Sequence, residues 1–130
     1  MLTIGHRGAR GYIAENTLES IQKALDLNVD GIEIDVFRCA SGEIVVFHDK
    51  KLQRLTGHNG LIEETTFEEL KNMLVAGRYR IPTLQQVLEK IGGKILLNVE
   101  LKGENTAIPT ATILKQYLSD SQSDIKKLIV

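Results

Sequence analysis

The sequence predicts an α/β fold of the (β/α)8, or TIM-barrel, type, represented here by about four β/α units, the first half of such a barrel. Three observations predict it. Short apolar runs alternate with amphipathic helical stretches in the order β-α-β-insertion-α-β-α-β, which implies parallel strands joined by right-handed crossovers. Polar and acidic side chains stand at the C-terminal ends of successive strands, as they do around a barrel mouth. In an open doubly wound sheet they would gather at a single switch point. The 130 residues reach what reads as a fourth strand, whereas a whole barrel takes about 250.

The first strand is read in Leu2–Ile4, a short apolar run that ends at Gly5 and places His6 on its exit. Asn16 and Glu19 have the spacing of a capping box, and Leu18, Ile21, Ala24 and Leu25 recur behind them at helical period. From Gly31 to Val36 the residues alternate, with Ile32, Ile34 and Val36 on one side and Glu33 and Asp35 on the other, which is the period of a strand. Ser41-Gly42 marks a turn, and Ile44–Phe47 reads as a further short strand running into His48-Asp49.

Residues 50 to about 80 are more polar and less regular, and are expected to be a small insertion after strand two with one short helix, capped by Thr66 and Glu69. Thr83 and Gln86 cap the next helix, which carries Leu84, Val87, Leu88 and Ile91 and stops at Gly92-Gly93. Ile95–Lys102 is a strand with Asn98, Glu100 and Lys102 on one face. A helix beginning near Pro109 leads to a last strand, Lys127–Val130.

With 42% hydrophobic and 25% charged residues, positions 1–130 have the composition of one folded, water-soluble domain. Sixteen basic against seventeen acidic side chains leave a net charge of -1, so no broad basic field exists to attract nucleic acid or anionic lipid. The single cysteine, Cys39, can form neither an intrachain disulfide nor a thiolate metal cage, and is expected to be a small buried residue beside strand two. There is no basic leader with an apolar stretch behind it, and no apolar run approaches about 18 residues. Cytoplasmic residence and the lack of a transmembrane segment are the expectations.

Glu33, Asp35 and Glu100 would bring three carboxylates to neighbouring strand ends, where like charges repel unless a cation lies between them. Oxygen-only ligation points to a hard divalent ion, Mg²⁺ or Ca²⁺; the alternative is three solvated strand-end charges. His6 and His48 each follow a strand; either alone is more often a structural hydrogen bonder, but as a pair beside a metal site they are favoured as an acid/base pair near neutral pH. Arg7 and Lys102 border the same mouth as fixed cations suited to a phosphate, or to ordinary salt bridges. Glu15 and Asn16 either bind substrate or order the loop after His6, Asn16 having the helix cap as a sufficient role of its own.

Taken in order, His6-Arg7-Gly8, Glu15-Asn16-Thr17, Glu33-x-Asp35, His48-Asp49, Pro82-Thr83-Leu84 and Asn98-x-Glu100-x-Lys102 resemble the motifs of the glycerophosphodiester phosphodiesterases, with Ala14 where that family usually has proline. The resemblance spans residues 3 to about 102 and implies specific roles. His6 and His48 would be the acid/base pair, Glu33, Asp35 and Glu100 the ligands of Mg²⁺ or Ca²⁺, and Arg7 and Lys102 the phosphate ligands. The implied reaction is hydrolysis of a small-molecule glycerophosphodiester to glycerol 3-phosphate and an alcohol. An isolated half-barrel would expose two sheet edges, so self-association or pairing with a second half-barrel is expected. Two other readings stand beside this one. The first is a catalytically weak or inactive half-barrel serving as an oligomerising module, favoured by length. The second is a phospholipase of the same fold acting on sphingomyelin or phosphatidylinositol, disfavoured by the Glu-Asn-Thr and Asn-x-Glu-x-Lys motifs.

Overall fold

The parallel strands lie side by side in the order in which the chain makes them. In the computed structural model, which describes residues 1–130, the chain runs β1 (Ile4–His6), α1 (Leu18–Asp26), β2 (Gly31–Arg38), β3 (Ile44–Val46), α2 (Gln53–Thr56), α3 (Phe67–Leu70), α4 (Leu84–Ile91), β4 (Leu96–Leu101), α5 (Ala107–Ser121) and β5 (Leu128–Ile129). Single 3₁₀ turns occupy Ile62–Glu64 and Ile125–Lys127. The sheet order is β1-β2-β4-β5, with each of these pairs parallel, and β3 folds back antiparallel on the end of β2. Each crossover advances by one strand and the winding never reverses. The sheet therefore has no switch point, and its architecture is that of a barrel wall rather than a doubly wound sheet.

Local chemistry explains most of the boundaries. Thr83 and Gln86 exchange cap hydrogen bonds at the start of α4, and Gly92 closes that helix in the left-handed conformation at φ 59°. Thr66 and Glu69 form the same box on α3. Pro109 sits in the first turn of α5, where a missing N–H costs nothing.

Three boundaries differ from the sequence reading. The cap of α1 is Thr17, whose hydroxyl accepts the Ser20 N–H at 3.1 Å; Asn16, expected there, turns away from the helix with φ 54°. The strand β1 comprises Ile4–His6 rather than Leu2–Ile4, because its pairing with β2 runs from Ile4 opposite Gly31 to His6 opposite Glu33. The last strand is confined to Leu128–Ile129 behind a 3₁₀ turn. In addition, α2 and the first 3₁₀ turn fall in a stretch read as loop, since helices of one turn carry too few residues to show a period.

The two faces of the sheet are unlike. Ile32, Ile34 and Val36 of β2 and Leu97 and Val99 of β4 are buried beneath α1, α4 and α5 against Ile21, Leu84, Val87, Leu88 and Leu114. Burial of each such aliphatic side chain stabilises the fold by about 1.5–3 kcal/mol. A smaller core of Phe37, Val45, Phe47, Leu52, Ile62, Leu70 and Val75, with Cys39 fully buried beside them, fixes the excursion between β3 and α4 to the end of β2. The other face of the sheet carries Ile4, His6, Glu33, Asp35, Asn98, Glu100 and Ile129, which share a side by register. Ile4 and Ile129 are 41% and 49% exposed there. Gly31 is required on this face: a Cβ would stand 2.9 Å from Ile4 Cδ1 and 3.0 Å from Leu96 Cβ.

Candidate active site

Strand register assembles the carboxylates. Glu33 is the Cα partner of both His6 in β1 and Asn98 in β4, and Asp35 is the partner of Glu100. Side chains at such positions in adjacent strands project to the same side, about 4.8 Å apart. Ligand oxygens of Glu33, Asp35 and Glu100 accordingly all lie within 4.8 Å of one another. Asp35 is 1% exposed and Glu33 8%, whereas Glu100 reaches toward solvent.

Burial first, and then the neighbouring Asp35 charge, raise the pKa of Glu33 above the ordinary carboxylate range. One of its oxygens accepts the Arg7 backbone N–H at 3.0 Å, but Oε1 is buried and has no hydrogen-bond partner. An unpartnered buried carboxylate oxygen is costly unless something positive completes it. The donor set, three carboxylates and no sulfur or nitrogen, fits a hard divalent cation held by Glu33, Asp35 and Glu100.

Asp35 is held from several sides. Asn16 donates Nδ2–H to its Oδ2 at 3.0 Å and accepts the Asp35 backbone N–H at 3.4 Å. Arg7 Nε stands 3.4 Å away and Lys102 Nζ 3.7 Å. Asn16 therefore orients an acidic residue of the site, and the left-handed backbone that removes it from the helix cap is one asparagine tolerates.

The two histidines arrive by different routes. His6 ends β1 with its ring half exposed and Nε2 3.7 Å from Glu33 Oε2. Partial burial, then Arg10 and Arg7, lower its pKa, which favours a neutral ring at pH 7. His48 follows β3, and it reaches the same end of the sheet because β3 doubles back along β2, the Phe47 N–H meeting the Asp35 carbonyl at 2.9 Å. Its Nδ1 lies 2.6 Å from Asp49 Oδ1, so the ring is anchored by one nitrogen and the other is left for chemistry.

Both expected phosphate ligands are already in ion pairs. Arg7 Nη1 donates to Glu15 Oε1 at 2.9 Å, and Lys102 Nζ donates to Glu100 Oε1 at 2.7 Å. These bonds raise the Lys102 pKa and lower that of Glu100. Burial opposes ionisation of Glu15, but bonds from Arg54 and Arg7 outweigh it and its pKa is lowered. Sequence reasoning gave no role to Asp49 or Arg54. Asp49 had a signal, its place beside His48, whereas Arg54 is 39 positions from Glu15 and only the fold brings the two together. Glu15, His48 and Asp49 form a second group of potential ligands, yet the Arg54 guanidinium already supplies positive charge between the two carboxylates.

A singly wound parallel sheet with acidic and imidazole groups at its C-terminal edge defines a chain of the (β/α)8-barrel class. The chain belongs to the glycerophosphoryl diester phosphodiesterase family, whose model matches residues 6–127. It is similar to the glycerophosphodiester phosphodiesterase of Caldanaerobacter subterraneus subsp. tengcongensis, being 38% identical over 109 residues, with 78% of this chain and 45% of that protein covered. The crystal structure of a Thermotoga maritima glycerophosphodiester phosphodiesterase superposes with a TM-score of 0.81 at 36% identity, covering 89% of this chain and 50% of that one. An Oleispira antarctica phosphodiesterase solved with the product sn-glycerol-3-phosphate superposes with a TM-score of 0.82 at 34% identity, over 93% and 53% of the respective chains. The chain thus spans about half the length of these relatives. No helix is long and apolar enough to cross a membrane.

Proposed function

We propose that the strand-end site is the catalytic centre of a metal-dependent glycerophosphodiesterase, hydrolysing a small glycerophosphodiester to glycerol 3-phosphate and an alcohol. The observation that carries this reading is the buried, unpartnered Oε1 of Glu33 beside Asp35 and Glu100, all within 4.8 Å. The Oleispira relative, solved with sn-glycerol-3-phosphate as product, supports the phosphate-ester class.

Glu33, Asp35 and Glu100 would hold Mg²⁺ or Ca²⁺, which when bound offsets charge on the phosphoryl oxygens and acidifies a nearby hydroxyl. His6, its pKa lowered, takes the proton from the glycerol hydroxyl next to the phosphodiester as that oxygen bonds to phosphorus. His48, anchored through Nδ1 to Asp49, gives a proton to the departing alcohol oxygen from its other nitrogen. The resulting cyclic phosphate is opened by water with the two histidines in exchanged roles. Arg7 and Lys102, each beside Asp35, keep positive charge at the place where the phosphate would sit, with Glu15 and Asn16 holding Arg7 and Asp35 in place. The excursion from about residue 50 to 80, which brings Lys50 and Glu63 to the pocket lined by His48 and Lys102, would cover the glycerol side of the substrate.

Turnover of glycerophosphocholine with Mg²⁺ or Ca²⁺, coupled to detection of glycerol 3-phosphate, tests the reading. Activity that survives complete chelation by EDTA would remove the metal-dependent mechanism.

A second half-barrel is proposed to cover the open face. The strands β1 and β5 each have an unpaired edge, and Ile4, Ile129 and Val130 are exposed where barrel interior or closing strands would meet them. Light scattering is expected to report self-association or, when a complementary half is supplied, a mixed complex. A monodisperse monomer that binds no second half refutes closure.

A further inference from the structure

The Arg54 side chain joins parts of the site that no backbone connects. Its guanidinium is bidentate to two carboxylates at once. Nε and Nη2 donate to Asp49 Oδ2 and Oδ1 at 2.7 and 2.8 Å, while Nη2 and Nη1 donate to Glu15 Oε1 and Oε2 at 2.8 and 3.2 Å. Beyond Asp49 lies His48, with Nδ1 2.6 Å from Oδ1. Beyond Glu15 lies Arg7, bonded at 2.9 Å through its side chain and, through its backbone N–H, to Glu33. One fork therefore spans the loop after β1, the loop after β3 and the short helix α2.

We propose that Arg54 is a positioning residue for the phosphodiesterase site, holding Asp49 so that His48 keeps one ring orientation and holding Glu15 so that Arg7 stays beside Asp35. The competing view is an ordinary surface ion pair, since the Arg54 side chain is 51% exposed and single exposed pairs contribute little. Geometry argues against it. Bidentate contact to two carboxylates is a fork arrangement that a lysine ammonium cannot reproduce, and both carboxylates are themselves mostly sheltered, at 11% and 21% side-chain exposure. Asp49 is driven well below the usual carboxylate range, by the Arg54 bond above all, so it remains an ionised acceptor for the His48 ring at any working pH.

This inference rests on the hydrolase reading of the same site, so its test needs one readout that does not. In ¹⁵N spectra of the metal-free chain, the neutral form of the His48 ring is expected to keep its proton on Nδ1, toward Asp49, with the second proton used in catalysis added at Nε2. Both Arg54→Lys and Arg54→Ala should convert this single neutral tautomer to a mixture, while Gln53→Ala, on the exposed side of the same helix, leaves it unchanged. In turnover, both Arg54 variants should lose roughly 10- to 100-fold in kcat, the scale of a misplaced catalytic group, with KM within about threefold. Combining Arg54→Ala with Asp49→Asn should cost less kcat than the product of the two separate losses, because both act in part through the His48 ring while Arg54 also acts through Glu15 and Arg7. Thermal melts exclude unfolding, and Arg54→Lys keeps the charge if Arg54→Ala is too unstable to assay. An unchanged His48 spectrum in both variants, or full kcat in Arg54→Lys, overturns the proposal. A chain that never turns over substrate would sink the hydrolase reading while the spectrum still decides the role of Arg54.

Discussion

Replacing Glu33 by glutamine should stabilise the metal-free chain and weaken its response to metal. Glu33, Asp35 and Glu100 have oxygens within 4.8 Å of one another, and two unit charges at that distance repel by about 3.5 kcal/mol at an effective dielectric constant near 20. The Glu33–Asp35 pair is sheltered and carries most of this, whereas Glu100, with a 52% exposed side chain, is screened toward the aqueous value of about 0.9 kcal/mol. Glutamine removes the repulsion and keeps a carbonyl oxygen for the Arg7 N–H, but that bond loses its charge assistance, at a cost of about 1–2 kcal/mol. The net gain is about 1.5–2.5 kcal/mol, or roughly 5–10 °C in Tm for a domain of this size.

The pH dependence has a definite sign. Burial and Asp35 raise the Glu33 pKa in the folded chain, so the folded state holds this proton more tightly than the unfolded state does. Stability from this group is complete below the unfolded value of about 4.3 and is lost as pH rises through the raised folded value. Melts in EDTA should therefore show wild type and Glu33→Gln converging near pH 4 and separating by pH 7. Added Mg²⁺ or Ca²⁺ should lift the wild-type Tm by preferential binding to the folded state and lift the variant much less. A variant no more stable than wild type at pH 7 in EDTA, or equal stabilisation of both by metal, would refute the reasoning.

Other perturbations follow from the same geometry. His6→Ala and His48→Ala should each lower glycerophosphocholine turnover by about 100-fold or more. Both rings are partly exposed, 51% and 29%, so Tm should stay nearly unchanged; a collapsed Tm would assign them a structural role instead. Asn16→Ala removes both hydrogen bonds to Asp35, which is 1% exposed, and should cost about 1–3 kcal/mol in urea unfolding; an unchanged midpoint would contradict it. Gly103→Ala would drive a Cβ into the Glu63 carboxylate from a backbone at φ +71°, and should break the 3.2 Å bond from the Glu104 N–H to Glu63 that ties the excursion to the exit of β4. A loss of about 1–3 kcal/mol is expected in the same assay, and full stability would show that the two segments are not coupled there.

Periodicity along the chain was enough to place the main elements and the faces they present. The alternation of Ile32, Ile34 and Val36 with Glu33 and Asp35, and of Leu97 and Val99 with Asn98 and Glu100, already separates a helix-covered face from a chemical one, because side chains in a strand must alternate. Thr66 with Glu69 and Thr83 with Gln86 are equally legible, since a capping box depends on residues three apart. The cap of α1 shows the limit of such reasoning. Asn16 and Thr17 are both good caps, and tertiary demand decided between them by drawing Asn16 to Asp35, 19 positions away.

Residue types and motif order also determined which side chains could make a site: the three carboxylates, the two histidines and their neighbouring cations. Only the tertiary structure decided how these meet. The parallel register sets Glu33 beside His6 and Asp35 beside Glu100, the antiparallel return of β3 carries His48 to the same edge, and Arg54 closes onto Glu15 and Asp49. The physical reason is range. Local propensity reaches along a few residues of chain, whereas strand register and charge pairing across loops depend on where the packed cores hold distant segments.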